Sequence, residues 1–311
     1  MTDLLIIGGG MAGLTAAIYA LRAGKSVLLI EKETFGGQIT SAPRVENYPG
    51  MPGVSGNQLT DAALSQALDL GLEIELEDIT SLHKLEDASF IASTGKREYA
   101  AKAVILATGA KHRPLGVARE EELTGHGVSY CALCDGAFHK GEDVAVVGGG
   151  NSAAQAAVFL ADLCKSVTVI QNFDHFTCDQ RDLDAMRARE NIHFCLSSRV
   201  TALEGDERLR AVRLTHEQSG AATELPVTGL FICIGRMADN APFDNLVVLD
   251  PQGFILAGED CRTNVPGLFA AGDCRAKAVR QLTTAAADGA IAATAACRYI
   301  GSSNRHTQTL G

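Results

Sequence analysis

No tryptophan occurs among the 311 residues, and aromatic side chains make up only 5% of them. A broad stacking platform for bases or sugars is therefore excluded. No run of Lys or Arg stands out, and the formal net charge is −10. Nucleic acids and anionic membranes call for a basic footprint, so neither is an expected partner. No apolar run approaches the roughly 18 residues of a membrane span. The Ala-rich stretch TTAAADGAIAATAAC is broken by Asp288 and reads as a buried helix. The start, MTDLLIIGGG, has neither a basic leader nor a small-residue cleavage site. A second close cysteine pair is also missing. Apart from Cys131 and Cys134, the cysteines at 164, 178, 195, 233, 261, 274 and 297 stand alone. That speaks against a stapled extracellular framework and for a reducing, cytoplasmic address, and it leaves no four-ligand zinc site, so no metal is expected.

What remains is an ordinary globular composition, 46% hydrophobic and 21% charged, in a chain long enough for two domains. The first thirty residues read as strand, turn, helix and strand, with Gly8, Gly10 and Gly13 at G-x-G-x-x-G spacing. Gly8 permits the tight turn, Gly10 lets a pyrophosphate approach the backbone, and Gly13 lets helix and strand pack closely. The helix start then faces the phosphates, and Glu31 at the end of the second strand can accept ribose hydroxyls.

The stretch EDVAVVGGGNSAAQAAVFLADLCKSVTVIQNF repeats the plan with Gly148, Gly150 and Ala153. Two such units predict two Rossmann-like, three-layer α/β dinucleotide-binding domains. The strand ending at Ala107-Thr108-Gly109 and the run LFAAGDC, with Asp273 at its end, belong to the first plan. The second domain is thus read as inserted into the first: 1–114 with 244–311 around 115–243. The polar tail GSSNRHTQTLG is expected to fray.

Just before the second glycine turn stands SYCALCDGAF. The two-residue gap between Cys131 and Cys134 permits a small disulfide ring and perturbed thiols. Asp135 beside them can give or take the proton that thiolate exchange moves. The other seven cysteines read as small buried hydrophobes. Two nucleotide sites and a dithiol suggest a relay from a hydride donor through a flavin to the disulfide.

Several motifs in order, GGGMAG, GGQIT, VENYPG, ATG, CALCDG, GGGNSA and AAGDC followed by Arg280-Gln281, resemble the low-molecular-mass thioredoxin reductases over nearly the whole chain. The resemblance implies an FAD-dependent homodimer acting on a thioredoxin-like or other disulfide protein. It implies FAD near Gly8, Gly10, Ala12, Gly13, Glu31, Lys32, Gly37, Gln38, Asn47, Ile79, Thr108, Gly109, Gly272, Asp273, Arg280 and Gln281. Cys134 would face the flavin, Cys131 would attack the partner, and Asp135 would be the acid.

The second cradle, Gly148, Gly150, Asn151, Ser152 and Ala153, is complete, but its specificity segment departs from the family. Where the family carries the arginines that grip a 2′-phosphate, this chain has Gln171, Asn172, Phe173 and Thr177, with no Lys or Arg between Lys165 and Arg181. Each missing charge-assisted hydrogen bond is worth about 1.5–3 kcal/mol, so NADPH is a poor fit. NADH, a second FAD stacked on Phe173, or an empty pocket with ferredoxin as donor remain open. So do a dithiol oxidase using oxygen and a non-catalytic flavin redox sensor.

Overall fold

Leu4 to Ile7 are buried on both faces of their strand, as a central strand of a parallel sheet requires. The computed structural model describes residues 1–42 and 44–308, and the chain divides into two compact units. Unit 1 is Met1–Lys111 with Met237–Gly311, and unit 2 is His112–Arg236. The crossings fall a few residues before the boundaries read from the sequence, with no change of composition to mark them.

Unit 1 opens with β1 (Thr2–Ile7), α1 (Met11–Arg22), β2 (Val27–Glu31), α2 (Gly56–Asp69) and β3 (Glu73–Leu76). A meander of β4 (Ser81–Lys84), β5 (Phe90–Ser93) and β6 (Glu98–Leu106) follows. The crossing strand β7 (Ala110–His112) then leads into unit 2. There the order is α3 (Glu120–Leu123), β8 (Val128–Ser129), α4 (Ala132–Asp135), β9 (Asp143–Val147), α5 (Asn151–Ala161), β10 (Ser166–Ile170), α6 (Gln180–Arg187) and β11 (Ile192–Cys195). Three long strands, β12 (Ser198–Gly205), β13 (Leu209–His216) and β14 (Ala222–Pro226), precede β15 (Gly229–Ile232). The return strand β16 (Arg236–Ala238) is followed in unit 1 by β17 (Leu268–Ala270) and α7 (Leu282–Gln308).

The unit 1 sheet runs β3-β2-β1-β6-β5-β4, parallel from β3 to β6 and antiparallel beyond. Strand β6 pairs with β5 over Glu98–Ala101 and with β17 over Val104–Leu106. In unit 2 the parallel order is β11-β10-β9-β15-β8, and β12-β13-β14 form a separate antiparallel sheet. Strand periodicity divides each core in two. Leu4 and Ile6 enter the cluster under α1 and α7, whereas Leu5 and Ile7 enter the one on the opposite face. Val144 and Val146 pack under α5, whereas Ala145 and Val147 face the cluster that includes Val200, Leu203 and Val212. The outer layer of unit 2 on that face is therefore β12–β14, which sequence patterning did not single out.

Residues 301–308, expected to fray, continue α7, while 309–311 lie outside the described residues. Among the described residues no helix is long and apolar enough to cross a membrane.

Candidate functional site

In unit 1 the glycine turn follows β1 as its spacing demands. Gly8 has φ of 111°, and a Cβ there would strike the Ala107 carbonyl. A Cβ on Gly13 would collide with the Gly8 carbonyl oxygen. On Gly10, by contrast, it would meet only the Gly36 carbonyl at 3.8 Å, leaving the approach to the α1 start open. No described side chain caps α1, so its first backbone N–H groups face outward for an anion. This cradle fits the pyrophosphate of FAD. Glu31, at the end of β2, accepts the Gly9 N–H at 2.7 Å and the Glu33 N–H at 2.9 Å.

Residues far apart in the chain meet around this turn. Asn47 Nδ2 donates to Gln281 Oε1 at 3.2 Å. A Cβ on Gly272 would come within 2.9 Å of the Ala12 methyl. Thr108 donates to Asn240 Oδ1 at 3.0 Å, and Gly109 has φ of 71° with open space beside it. The Arg280 guanidinium lies 4.1 Å over the Phe254 ring and donates to the backbone carbonyls of Asp273 and Arg275. Ile79 is buried beneath the sheet, Lys32 is paired with Asp239, and Gly37 opens the short helical turn 37–41, which includes Gln38.

Two supports here escaped sequence reading. Asn240 is buried and donates to the carbonyls of Gly253 and Cys274. Asp288, read only as a break in an apolar helix, accepts Gly272 N–H at 3.0 Å and pairs with half-buried Arg275 and Lys277, each at 2.8 Å. Burial raises its carboxyl, but those two cations outweigh that and hold it below the usual carboxylate range.

Unit 2 repeats the turn with different chemistry. Gly148 has φ of 135°, and a Cβ on Gly150 would meet only Thr177 Oγ1 at 3.9 Å. Thr177 N–H donates to the Gly149 carbonyl at 2.8 Å, as Gly36 N–H donates to Gly9 in unit 1. Gln171, in the place of Glu31, is buried and lies against Gly149. Its Oε1 accepts Asn172 N–H at 3.2 Å. Asn151 and Asp179 exchange two hydrogen bonds at 2.7 and 2.8 Å beside the α5 start. Ser152 is exposed and Ala153 is buried under the turn. Asn172 and Phe173 are exposed, and Phe173 stacks on His175 with ring centres 5.9 Å apart. His175 itself is paired with Asp174 at 2.7 Å.

The dithiol is a disulfide, with Cys131 and Cys134 half-buried and their Cα atoms 5.3 Å apart. Cys131 precedes the single turn α4, whose last residue is Asp135. The segment before it is anchored. Tyr130 donates to buried Glu120 at 2.6 Å, and Glu120 also accepts the N–H groups of Leu115 and Gly116. His112 stacks on Tyr130 at 4.9 Å; burial, with a smaller push from Arg236, lowers its pKa to about 4, so it stays neutral. Burial pushes the Asp135 carboxyl above its usual range, and Ser129 and then His139 pull it part of the way back. Ser129 donates to Asp135 Oδ2 at 2.6 Å, a contact that no sequence motif announced. Of the remaining cysteines, 164, 261 and 274 are buried and 178, 195, 233 and 297 only half-buried, so the expectation of burial holds for three of the seven. Among the described residues no His, Cys, Asp and Glu cluster could hold a metal.

A family profile described as pyridine nucleotide-disulphide oxidoreductase matches residues 2–289. The chain is 41% identical over 299 residues to a thioredoxin reductase of Listeria monocytogenes, covering 96% of this chain and 93% of that one. It is 40% identical to a 34.2 kDa protein in the rubredoxin operon of Clostridium pasteurianum, covering 96% and 97%. Its structure resembles the thioredoxin reductase of Streptococcus pyogenes with a TM-score of 0.93 at 38% identity, covering 97% of this chain and 99% of that one.

Proposed function

The chain belongs to the pyridine nucleotide-disulphide oxidoreductases, in their low-molecular-mass thioredoxin reductase branch, and from that membership we propose that it reduces a thioredoxin-like disulfide protein using a donor other than NADPH. The observation that carries the reading is the Cys131–Cys134 disulfide, set beside the half-buried carboxyl of Asp135 in a chain with two glycine-turn units.

In this proposal the unit 1 residues named above hold FAD. Held by these residues, FAD would supply the disulfide with two electrons drawn from a donor. Cys134 takes the electrons and Cys131 becomes the thiolate that attacks the partner. Asp135, whose carboxyl burial pushes above its usual range, supplies protons to the sulfurs that leave. The enzyme works as a homodimer, as the resemblance implies.

The donor reading rests on unit 2. The neutral Asn172, Phe173 and Thr177 offer a 2′-phosphate no cation, and Asp174 and Asp179 lie in the same segment. The open approach at Gly150 supports a dinucleotide lacking that phosphate, with Gln171 turned toward the glycine turn in place of an acid.

Anaerobic titration of the purified flavoprotein with NADH and, separately, NADPH tests this through loss of oxidised flavin absorbance. We expect stoichiometric bleaching by NADH and at least 100-fold weaker binding of NADPH, the loss of two charge-assisted hydrogen bonds being worth that much. Ready bleaching by NADPH refutes the donor reading. Bleaching by neither makes the donor something other than a pyridine nucleotide, with a second flavin or ferredoxin next to be tried.

A further inference from the structure

Ser129 ends β8 two residues before the dithiol and is only 5% exposed. Its Oγ lies 2.6 Å from Asp135 Oδ2 and accepts the Cys131 N–H at 3.0 Å. The Cys131 carbonyl oxygen is 3.4 Å from the same Oγ. A serine hydroxyl has one proton to give and two lone pairs to receive. With Asp135 ionised, that proton goes to the carboxylate, the stronger acceptor. With Asp135 protonated, the carboxyl O–H can donate back across the same 2.6 Å, and the serine proton turns to the Cys131 carbonyl. Each polar group then keeps a partner in both states, and no heavy atom has to move.

We propose that Ser129 is the positioning residue of the dithiol step, holding Asp135 against Cys131 by reversing its hydrogen bond as Asp135 gains and loses a proton. The inference rests on the reading of Asp135 as the acid. In the exchange, the Cys131 thiolate attacks the partner disulfide, forming a mixed disulfide. The first partner sulfur leaves and takes the Asp135 proton. The carboxylate then accepts the Cys134 thiol proton, and Cys134 attacks Cys131 to close the enzyme disulfide. The second partner sulfur leaves and takes that proton. Two electrons and two protons have passed to the partner, and Asp135 ends ionised. Ser129 follows each change of charge on Asp135 by rotating one O–H bond.

Phe159 and Leu160 of α5 and Leu163 just beyond its end, which pack behind Gly136, are apolar. His139 also acts on the Asp135 carboxyl, and its Nδ1 is 3.4 Å from both Glu142 Oε2 and Thr228 Oγ1.

The test avoids the unidentified donor. Oxidised holoenzyme is mixed anaerobically with excess dithiothreitol, and the rate of flavin bleaching is followed against pH for the wild type and for S129A, S129T and D135N. Alanine removes a donor to the ionised carboxylate, so the Asp135 inflection is expected to move up by about one pH unit. S129T restores it, and D135N abolishes it, after which adding S129A changes nothing further. A variant-free reading comes from the Cys131 amide resonance of ¹⁵N-labelled holoenzyme, which should titrate with the same midpoint. A uniform loss of rate in S129A with the inflection unmoved, or a Cys131 amide that ignores pH over that range, overturns the inference alone. A wild-type flavin that dithiothreitol cannot bleach overturns the proposed function and this inference with it.

Discussion

Seven of the nine cysteines are free, and their surroundings separate them from the reactive pair. Burial pushes the Cys164 and Cys233 thiols up to about 11, and Cys261 to about 12. At pH 8 a thiol with a pKa of 11 is about one part in a thousand thiolate, and the thiolate is the nucleophile. We therefore expect iodoacetamide to label Cys131 and Cys134 of the reduced native protein first. Cys164, Cys233 and Cys261 should react only as the pH climbs toward 11 or the chain unfolds. Peptide mapping after timed quenching reads this directly, and labelling of Cys233 at the rate of the dithiol would contradict it. The same contrast explains what the sequence made legible. CALC is recognisable because a two-residue gap carries chemistry, whereas nothing in a lone Ser marks Ser129 as the partner of Asp135. Asn240 is equally silent, since it holds Thr108 from 132 residues away.

The glycine turns were readable for a related reason: their backbone accepts no other residue in places. The three glycines of the first turn still do different work, and substitution should separate them. Gly13→Ala drives a methyl into the Gly8 carbonyl, so helix α1 must shift off β1. We expect loss of several kcal/mol of stability and little folded protein. Gly10 has φ of −75°, which any residue adopts, and a Cβ there would make only an ordinary 3.8 Å contact with the Gly36 carbonyl. Gly10→Ala should leave the apoprotein melting within a few degrees of wild type yet release its flavin on gel filtration. If Gly10→Ala keeps its flavin at wild-type affinity, the α1 start is not the pyrophosphate seat. Helix α7 shows the opposite case, where local sequence misled. Its polar final turns carry no apolar pattern, but Ala292, Ala296 and Ile300 are buried in the unit 1 core. Once that packed stretch is helical, propagation adds a hydrogen bond per residue without a new nucleus.

The two units differ in how they are assembled from the chain, and this has a consequence for folding. Unit 2 is one continuous segment with its own parallel sheet and two core clusters on either side of it. Unit 1 needs both ends of the chain. Strand β17 pairs with the last third of β6, and Ala292, Ala293, Ala296 and Ile300 of α7 cover the same cluster as Leu4, Leu14 and Ala17. A close crossing makes this possible, because Gly289 lets α7 approach the backbone of α1 at Ala12. A chain ending at Arg236 would keep every residue of unit 2 but leave that apolar face of unit 1 in water. It should also lose Gly272, Arg280 and Gln281 from the candidate flavin site. We expect such a chain to bind no flavin and to yield, on limited proteolysis, a resistant fragment beginning near residue 112. Resistance across residues 1–111 as well would mean that the first segment folds without α7, and that the sheet rather than the α1–α7 packing stabilises unit 1.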